Sequence, residues 1–194
     1  MLENPESIFI LQKLTDELPA HLHYHSVNHT LEVYNTAAMI AEKEKLNEKD
    51  TKLLLIAALF HDSGFLLQSN GHEAISCQIA SEVLPGFGYS NVEIEQICLM
   101  ISATKIPQSP NSIMDSIICD ADLDYLGRED FFDIGQNLYI EMLHEGIVTN
   151  EEEWNQLQIT FLQQHKYFTR TAQLLRNDKK EQHLKILLSK NKKQ

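Results

Sequence analysis

The segment Lys52-Leu-Leu-Leu-Ile-Ala-Ala-Leu-Phe-His-Asp-Ser-Gly64 constrains this chain more than any other. Leu53 to Phe60 are all apolar, so a helix built on them has no polar face and must run through the middle of a core. Lys49, Asp50 and Lys52 mark its solvated start, and Gly64 is a typical residue just past a helix end. His61 and Asp62 are thereby carried into the interior by the most hydrophobic element of the chain. Burying an imidazole and a carboxylate is costly unless they are paired, hydrogen-bonded or bound to metal. The partial negative charge of a helix C-terminus also favours a cation beside them.

A length of 194 residues suits one domain, spanning 1–194, that can bury a sizeable core. The formal net charge of −12 argues against a nucleic-acid binder, which needs a basic face. An anionic substrate stays open, because a bound ion and a few local cations can outweigh the global field. Lys179, Lys180, Lys185, Lys190, Lys192 and Lys193 gather at the end of the chain as an expected solvated tail. Glu3, Glu6, Asp16 and Glu17 leave no secretory pattern, and the longest apolar run is too short to span a membrane. Cys77, Cys98 and Cys119, each among apolar residues, read as reduced thiols. The expected location is cytoplasmic.

Helical signals follow one another with no competing strand pattern. Asn4-Pro5 opens a first helix with apolar positions Ile8, Leu11, Leu14 and Leu18, and Pro19 closes it. The His-rich link His21 to His25 leads to a second helix carrying His29, Val33, Ala37, Ile40 and Ala41. Asn47 with Asp50 resembles a capping pair for the central helix. A fourth helix, after Asn70-Gly71, carries Ile75, Ile79, Ala80 and Val83, and Ser90 with Glu93 is a capping-box signature for a fifth. A sixth covers about Ser112 to Leu126 and a seventh about Glu129 to His144. Thr149 with Glu152 caps a long eighth helix reaching toward Arg176, and Asp178 begins a ninth. The expectation is an all-α helical bundle of about nine helices without linker or repeat. Periodicity does not separate packing on the core from packing on a second copy, so a homo-oligomer stays open.

Helical spacing brings further polar groups toward the HD pair. His25 and His29 sit one turn apart, and Val33 and Ala37 continue the face that points His29 inward. Asp122 has Ile118 and Cys119 a turn before it and Tyr125 and Leu126 a turn after, so it is the better core-facing acid. Asp120 is then a support or surface group. His29, His61, Asp62 and Asp122 form a mixed nitrogen and oxygen set suited to a divalent ion such as Mn, Mg, Fe or Zn with open, water-filled positions. An ion so held can activate water and clamp a phosphoryl oxygen.

His29, His61-Asp62 and Asp122, in that order, resemble the H…HD…D signature of the HD-domain metal-dependent phosphohydrolases. The surrounding stretches Tyr24-His-Ser-Val-Asn-His29, Leu59-Phe-His-Asp-Ser-Gly64 and Cys119-Asp-Ala-Asp-Leu-Asp-Tyr-Leu-Gly127 agree. The resemblance covers residues 24–127, with 128–190 as additional C-terminal helices. It implies an HD-domain helical bundle, the four residues as metal ligands, and hydrolysis of a phosphate ester or diester by water activated on the metal. Asp62 and Asp122 then serve the chemistry as well as the ion, and Asp122 or Asp120 orients the nucleophile. Tyr24-His25-x-x-x-His29 is similar to the cyclic-nucleotide phosphodiesterase signature, which implies His25 as general acid and a nucleotide-like substrate. The match is partial: Ser63-Gly64-Phe65-Leu66 lacks the histidine those enzymes carry, and no GYP motif follows. His72, at the start of its helix, stands where related enzymes place a second-metal ligand, or else in the substrate pocket.

Lys105, Arg128, His165, Arg176 and Lys180 are candidates to reach a substrate phosphate, set against a solvated-face reading of the same residues. His144 and His183 read as surface residues. Two rival functions remain. A catalytically silent HD module binding a nucleotide or a protein has no reason to keep His25. A di-iron HD oxygenase needs more imidazoles than His72 alone supplies.

Overall fold

The axis of the fold is α3 (Glu48–Phe60), in which every residue from Leu53 to Phe60 is buried. The computed structural model describes residues 2–191, so Lys192 and Lys193 of the basic tail lie outside the described residues. Around α3 pack α1 (Pro5–Glu17), α2 (Val27–Lys43), α4 (His72–Val83), α5 (Asn91–Ala103) and α6 (Ile113–Asp122). After these come α7 (Phe131–His144), α8 (Glu151–Gln164) and α9 (Arg170–Asn191). Single 3-10 turns occupy Ser63–Leu66, Leu84–Phe87 and Asp124–Gly127. The architecture is all-α, with nine α-helices and no strand among the described residues. None of the described helices is long and apolar enough to cross a membrane.

Local capping explains where the helices begin. Ser26 accepts from His29 N at the start of α2, Asn47 from Asp50 N at α3, and Ser90 and Glu93 form the reciprocal box at α5. At α8 the cap falls one residue later than its sequence signature: Asn150 accepts from Glu153 N at 3.0 Å, and Glu153 takes Thr149 N. The face of α1 also differs from the expected one. Ile10 and Leu14 are buried while Ile8 is 55% exposed. The rotation is set by Glu6, whose buried carboxylate accepts from Tyr89 Oη at 2.8 Å and so turns its side of the helix inward.

The expected long eighth helix is broken at His165 to Thr169. Tyr167 is buried there and donates to Leu123 O at 3.2 Å. Asp120 accepts from Phe168 N at 2.8 Å and Thr169 N at 2.7 Å. Asp120 is thus a fully buried support for this loop, not a surface group. Burial pushes its carboxyl up to about 6, the two amide bonds only partly offsetting it. From the break, α9 runs back over the turn at residues 124–127. A Cβ on Gly127 would come within 2.5 Å of the Arg176 carbonyl oxygen, so this glycine permits the approach. His183, expected on the surface, is buried there instead: Nδ1 lies 3.0 Å from Leu126 O, and the ring stacks on Phe131.

Arg176 closes this region with a bidentate pair to buried Asp124, at 2.7 and 3.0 Å. Asp124→Ala is expected to cost about 2 kcal/mol, below the usual range for a fully buried pair because Arg176 keeps some solvent contact. Urea denaturation checks this. A loss under about 0.5 kcal/mol would mean the pair behaves as a surface bridge.

Candidate metal centre and its cavity

Three helices deliver the central cluster. The buried stripe of α2 carries His29 ahead of Val33, Ala37 and Ile40. His61 ends α3 with helical torsions, and Asp62 (φ −102°, ψ 7°) turns the chain into the following 3-10 turn, so both neighbours reach the interior. Asp122 closes α6. His29 Nε2 lies 3.2 Å from Asp122 Oδ1 and 3.4 Å from Asp62 Oδ2. His61 Nε2 lies 3.1 Å from Asp62 Oδ2 and 3.5 Å from Asp122 Oδ1.

The donor set fits a divalent ion. His61 Nδ1 lies 2.8 Å from Ala58 O, which places a proton on Nδ1 and turns Nε2 toward the carboxylates. His61 Nε2 and Asp62 Oδ2 are nevertheless buried without a hydrogen-bond partner, because their close contact lacks the required angles. Asp122 Oδ1 lies 3.2 Å from His29 Nε2 and 3.5 Å from His61 Nε2, separations that pairs of bonds of about 2 Å to a common ion can span. For His61, Asp62 and Asp122 burial opposes charge, but proximity wins. Asp62 holds the His61 imidazole well above its ordinary value, and His61 holds Asp62 well below the carboxylate range. Burial raises the Asp122 carboxyl, but the His29 hydrogen bond and the adjacent His61 imidazole keep it at about 2. The cluster therefore stabilises positive charge at its centre.

Asp62 faces two ways. Its Oδ2 points at His29 and His61, while Oδ1 lies 3.3 Å from His72 Nε2. His72 sits at the start of α4, where Ser69 O holds Nδ1 at 3.1 Å. Burial lowers its imidazole, but Asp62 outweighs this and raises it overall. The approach of α4 depends on Gly64, where a Cβ would fall 2.0 Å from the His72 carbonyl oxygen. Gly64 also donates its N–H to Ser76 Oγ at 2.8 Å. The sequence suggested a helix-ending glycine at this position. In the structure α3 ends at Phe60, and what Gly64 supplies is room for α4.

His25 lies beside the cluster, and its partner is a residue that sequence reasoning missed. Glu141 of α7 accepts from His25 Nδ1 at 2.6 Å, from His25 N at 2.9 Å and from Tyr24 N. The signal was present: Glu141 falls on the same stripe as Phe131, Ile134 and Leu138, a carboxylate at an apolar helical register. With Nδ1 committed to Glu141, Nε2 is the His25 nitrogen left for chemistry. The His25 ring stacks on Phe65 at 4.0 Å, and Phe65 stacks in turn on His72 at 4.1 Å.

These groups line one end of a cavity of about 370 Å³, with His25, Asp62, His72 and Asp122 in its wall. Tyr24 and Tyr125 also line it, and burial raises both phenols so that they stay neutral. The candidate phosphate-binding cations are placed elsewhere. Arg176 is committed to Asp124, and Arg128 to Glu32 and Asp130. Lys180 donates to His165 O at 2.6 Å, capping the end of α8. His165 is pushed down to about 3 by burial and by Lys180, which makes it a neutral packing group. Lys105 is exposed, flanked by the cavity residues Thr104 and Ile106 without lining the cavity itself.

No protein of curated function matches the chain. Among solved structures, the chain is similar to a crystal structure described as a predicted HD superfamily hydrolase from an uncultured Thermotogales bacterium. The identity is 21%, the TM-score 0.66, and the match covers 97% of this chain and 93% of that one, a likeness of fold. The family model for the HD domain matches residues 26–124, a span that opens at the α2 cap and closes just after Asp122. With over half its length matched and the H…HD…D residues gathered in one cluster, this chain belongs to the HD-domain family.

Proposed function

We propose that this protein is a metal-dependent hydrolase of phosphate esters. The observation that carries the reading is the pair of orphaned buried atoms, His61 Nε2 and Asp62 Oδ2, aimed into one cluster at the end of a cavity. His29, His61, Asp62 and Asp122 would hold the ion, a divalent metal such as Mn, Mg, Fe or Zn. When bound, it lowers the pKa of a coordinated water and polarises a phosphoryl oxygen.

The remaining work falls to the chain's own groups. His25 Nε2 donates a proton to the departing oxygen as the P–O bond breaks. Glu141 is a positioning residue that holds Nδ1–H and keeps the donor nitrogen on the cavity side. His72 orients the outer oxygen of Asp62. Asp120 takes no part, since both its oxygens are bonded to the 168–169 amides.

Metal-stripped protein given Mn, Mg, Fe or Zn singly, against bis-p-nitrophenyl phosphate and p-nitrophenyl phosphate, is the test. Turnover restored by metal and lost in Asp62→Ala is expected. Metal uptake without turnover would move the reading to a silent binding module, and no uptake would overturn it.

The role of His25 has its own signature. A p-nitrophenolate leaving group needs little protonation, whereas an alkoxide needs it fully. His25→Gln is therefore expected to lower kcat by less than about tenfold on p-nitrophenyl esters and by about 100-fold or more on alkyl esters. Glu141→Gln is expected to show the same leaving-group dependence in weaker form. An equal loss on both substrates would make His25 a structural residue.

A further inference from the structure

Resting on the phosphohydrolase reading, we propose that the substrate is the phosphate ester of an extended hydrocarbon chain. Asp62 and Asp122 of the cluster line the cavity, and most of its wall is apolar side chains of the turn at residues 124–127, α7 and α8, among them Leu126, Phe131, Leu138, Leu157 and Phe161. Two further lining residues are apolar and exposed, Ile106 at 50% and Ile147 at 60%. Exposed apolar side chains converging on one cavity are a recognition feature, since scattered ones would have no reason to share a wall.

Charge points the same way. No lysine or arginine is among the described lining residues, while Asp62, Glu73 and Asp122 are. A divalent ion in the cluster offsets the two aspartates and leaves nothing for a polyphosphate. A nucleotide base and ribose would also need donors and acceptors along the wall, and on α7 and α8 the described lining residues offer only Gln158 and the Trp154 indole N–H, while the Thr104 hydroxyl donates to Ile101 O. A hydrocarbon chain asks for none. At roughly 30 Å³ per water-sized group the cavity holds on the order of a dozen non-hydrogen atoms. That is a phosphate head and about eight carbons.

The test uses metal-loaded protein and alkyl phosphates from methyl to dodecyl, kept below their micelle concentrations, with release of inorganic phosphate as the readout. Each methylene that enters the cavity is expected to raise kcat/KM about threefold to fourfold, with a plateau near eight to ten carbons. Leu138→Phe and Leu157→Phe narrow the cavity and are expected to move the plateau to shorter chains. Trp154 is the single tryptophan of the chain and lines this wall, so its fluorescence reports occupancy without turnover. It is expected to respond saturably to decyl phosphate and not to adenosine monophosphate. Turnover of the methyl ester with a flat chain-length series and a silent Trp154 would overturn the chain proposal and leave the hydrolase standing. No turnover on any ester, with a saturable Trp154 response, would overturn the hydrolase and retain the chain-binding cavity. Absence of both would overturn both.

Discussion

His61→Ala is expected to lower kcat/KM for phosphate ester hydrolysis by about 10³-fold or more, roughly 4 kcal/mol of transition-state stabilisation. The imidazole is fully buried, its Nδ1 is held by Ala58 O, and its Nε2 has no other partner than the ion the cluster would hold. On the proposed reading its removal would take away a metal ligand, and it also strips Asp62 and Asp122 of the charge that keeps them ionised in the interior. The metal-free variant should therefore be less stable than the metal-free parent, because buried carboxylates left unpaired are costly. Metal content by elemental analysis and thermal shift on adding Mn separate the two effects. The parent should gain stability with metal by mass action, and the variant should not. If the parent takes up no metal and His61→Ala costs only stability, the cluster is a buried ion-pair network.

Gly64→Ala is expected to be the most damaging single-methyl change for the fold. The added Cβ would sit 2.0 Å from the His72 carbonyl oxygen and 2.8 Å from its Cα, so backbone must move. Overpacking against main chain falls at the upper end of its range, about 3 kcal/mol. For a domain of this size the midpoint should drop by roughly 6–12 °C. The displacement starts at His72, so activity should fall in the fraction that remains folded as the His72 to Asp62 contact of 3.3 Å opens. Ser76→Ala is the control: it removes the bond to Gly64 N without adding volume and should cost only about 1 kcal/mol. Equal losses in the two variants would show that the hydrogen bond, and not the close approach, holds α4 in place.

Several earlier expectations concern residues whose partners lie far away in sequence, and these are the ones that moved. Asp120 and Asp122 both stand on α6, two residues apart, and periodicity ranked Asp122 as the inward one. Periodicity had no means of anticipating that the 168–169 loop would fold over Asp120 and bury it completely. Arg176, Lys180 and His165 were candidates because cations on a helix near a phosphate site are useful. Once the helix breaks at Tyr167, Asp124 and the end of α8 take up those side chains instead. Glu141 shows the reverse. A carboxylate on an apolar stripe looks like a flaw in the pattern until His25 and Tyr24 arrive from residues more than a hundred positions earlier.

The sequence by itself determined the helical class, the central buried helix, and the inward course of His29, His61, Asp62 and Asp122. Each of these follows from local rules: an unbroken apolar run, a 3.6-residue period, and caps that start helices where side chains can satisfy the first amides. Only the tertiary structure decided which polar groups became partners, why Gly64 has to be glycine, and what walls the cavity beyond the cluster. Those depend on how α7, α8 and α9 lie against the earlier helices. Such contacts join segments far apart in the chain, and no local period encodes them.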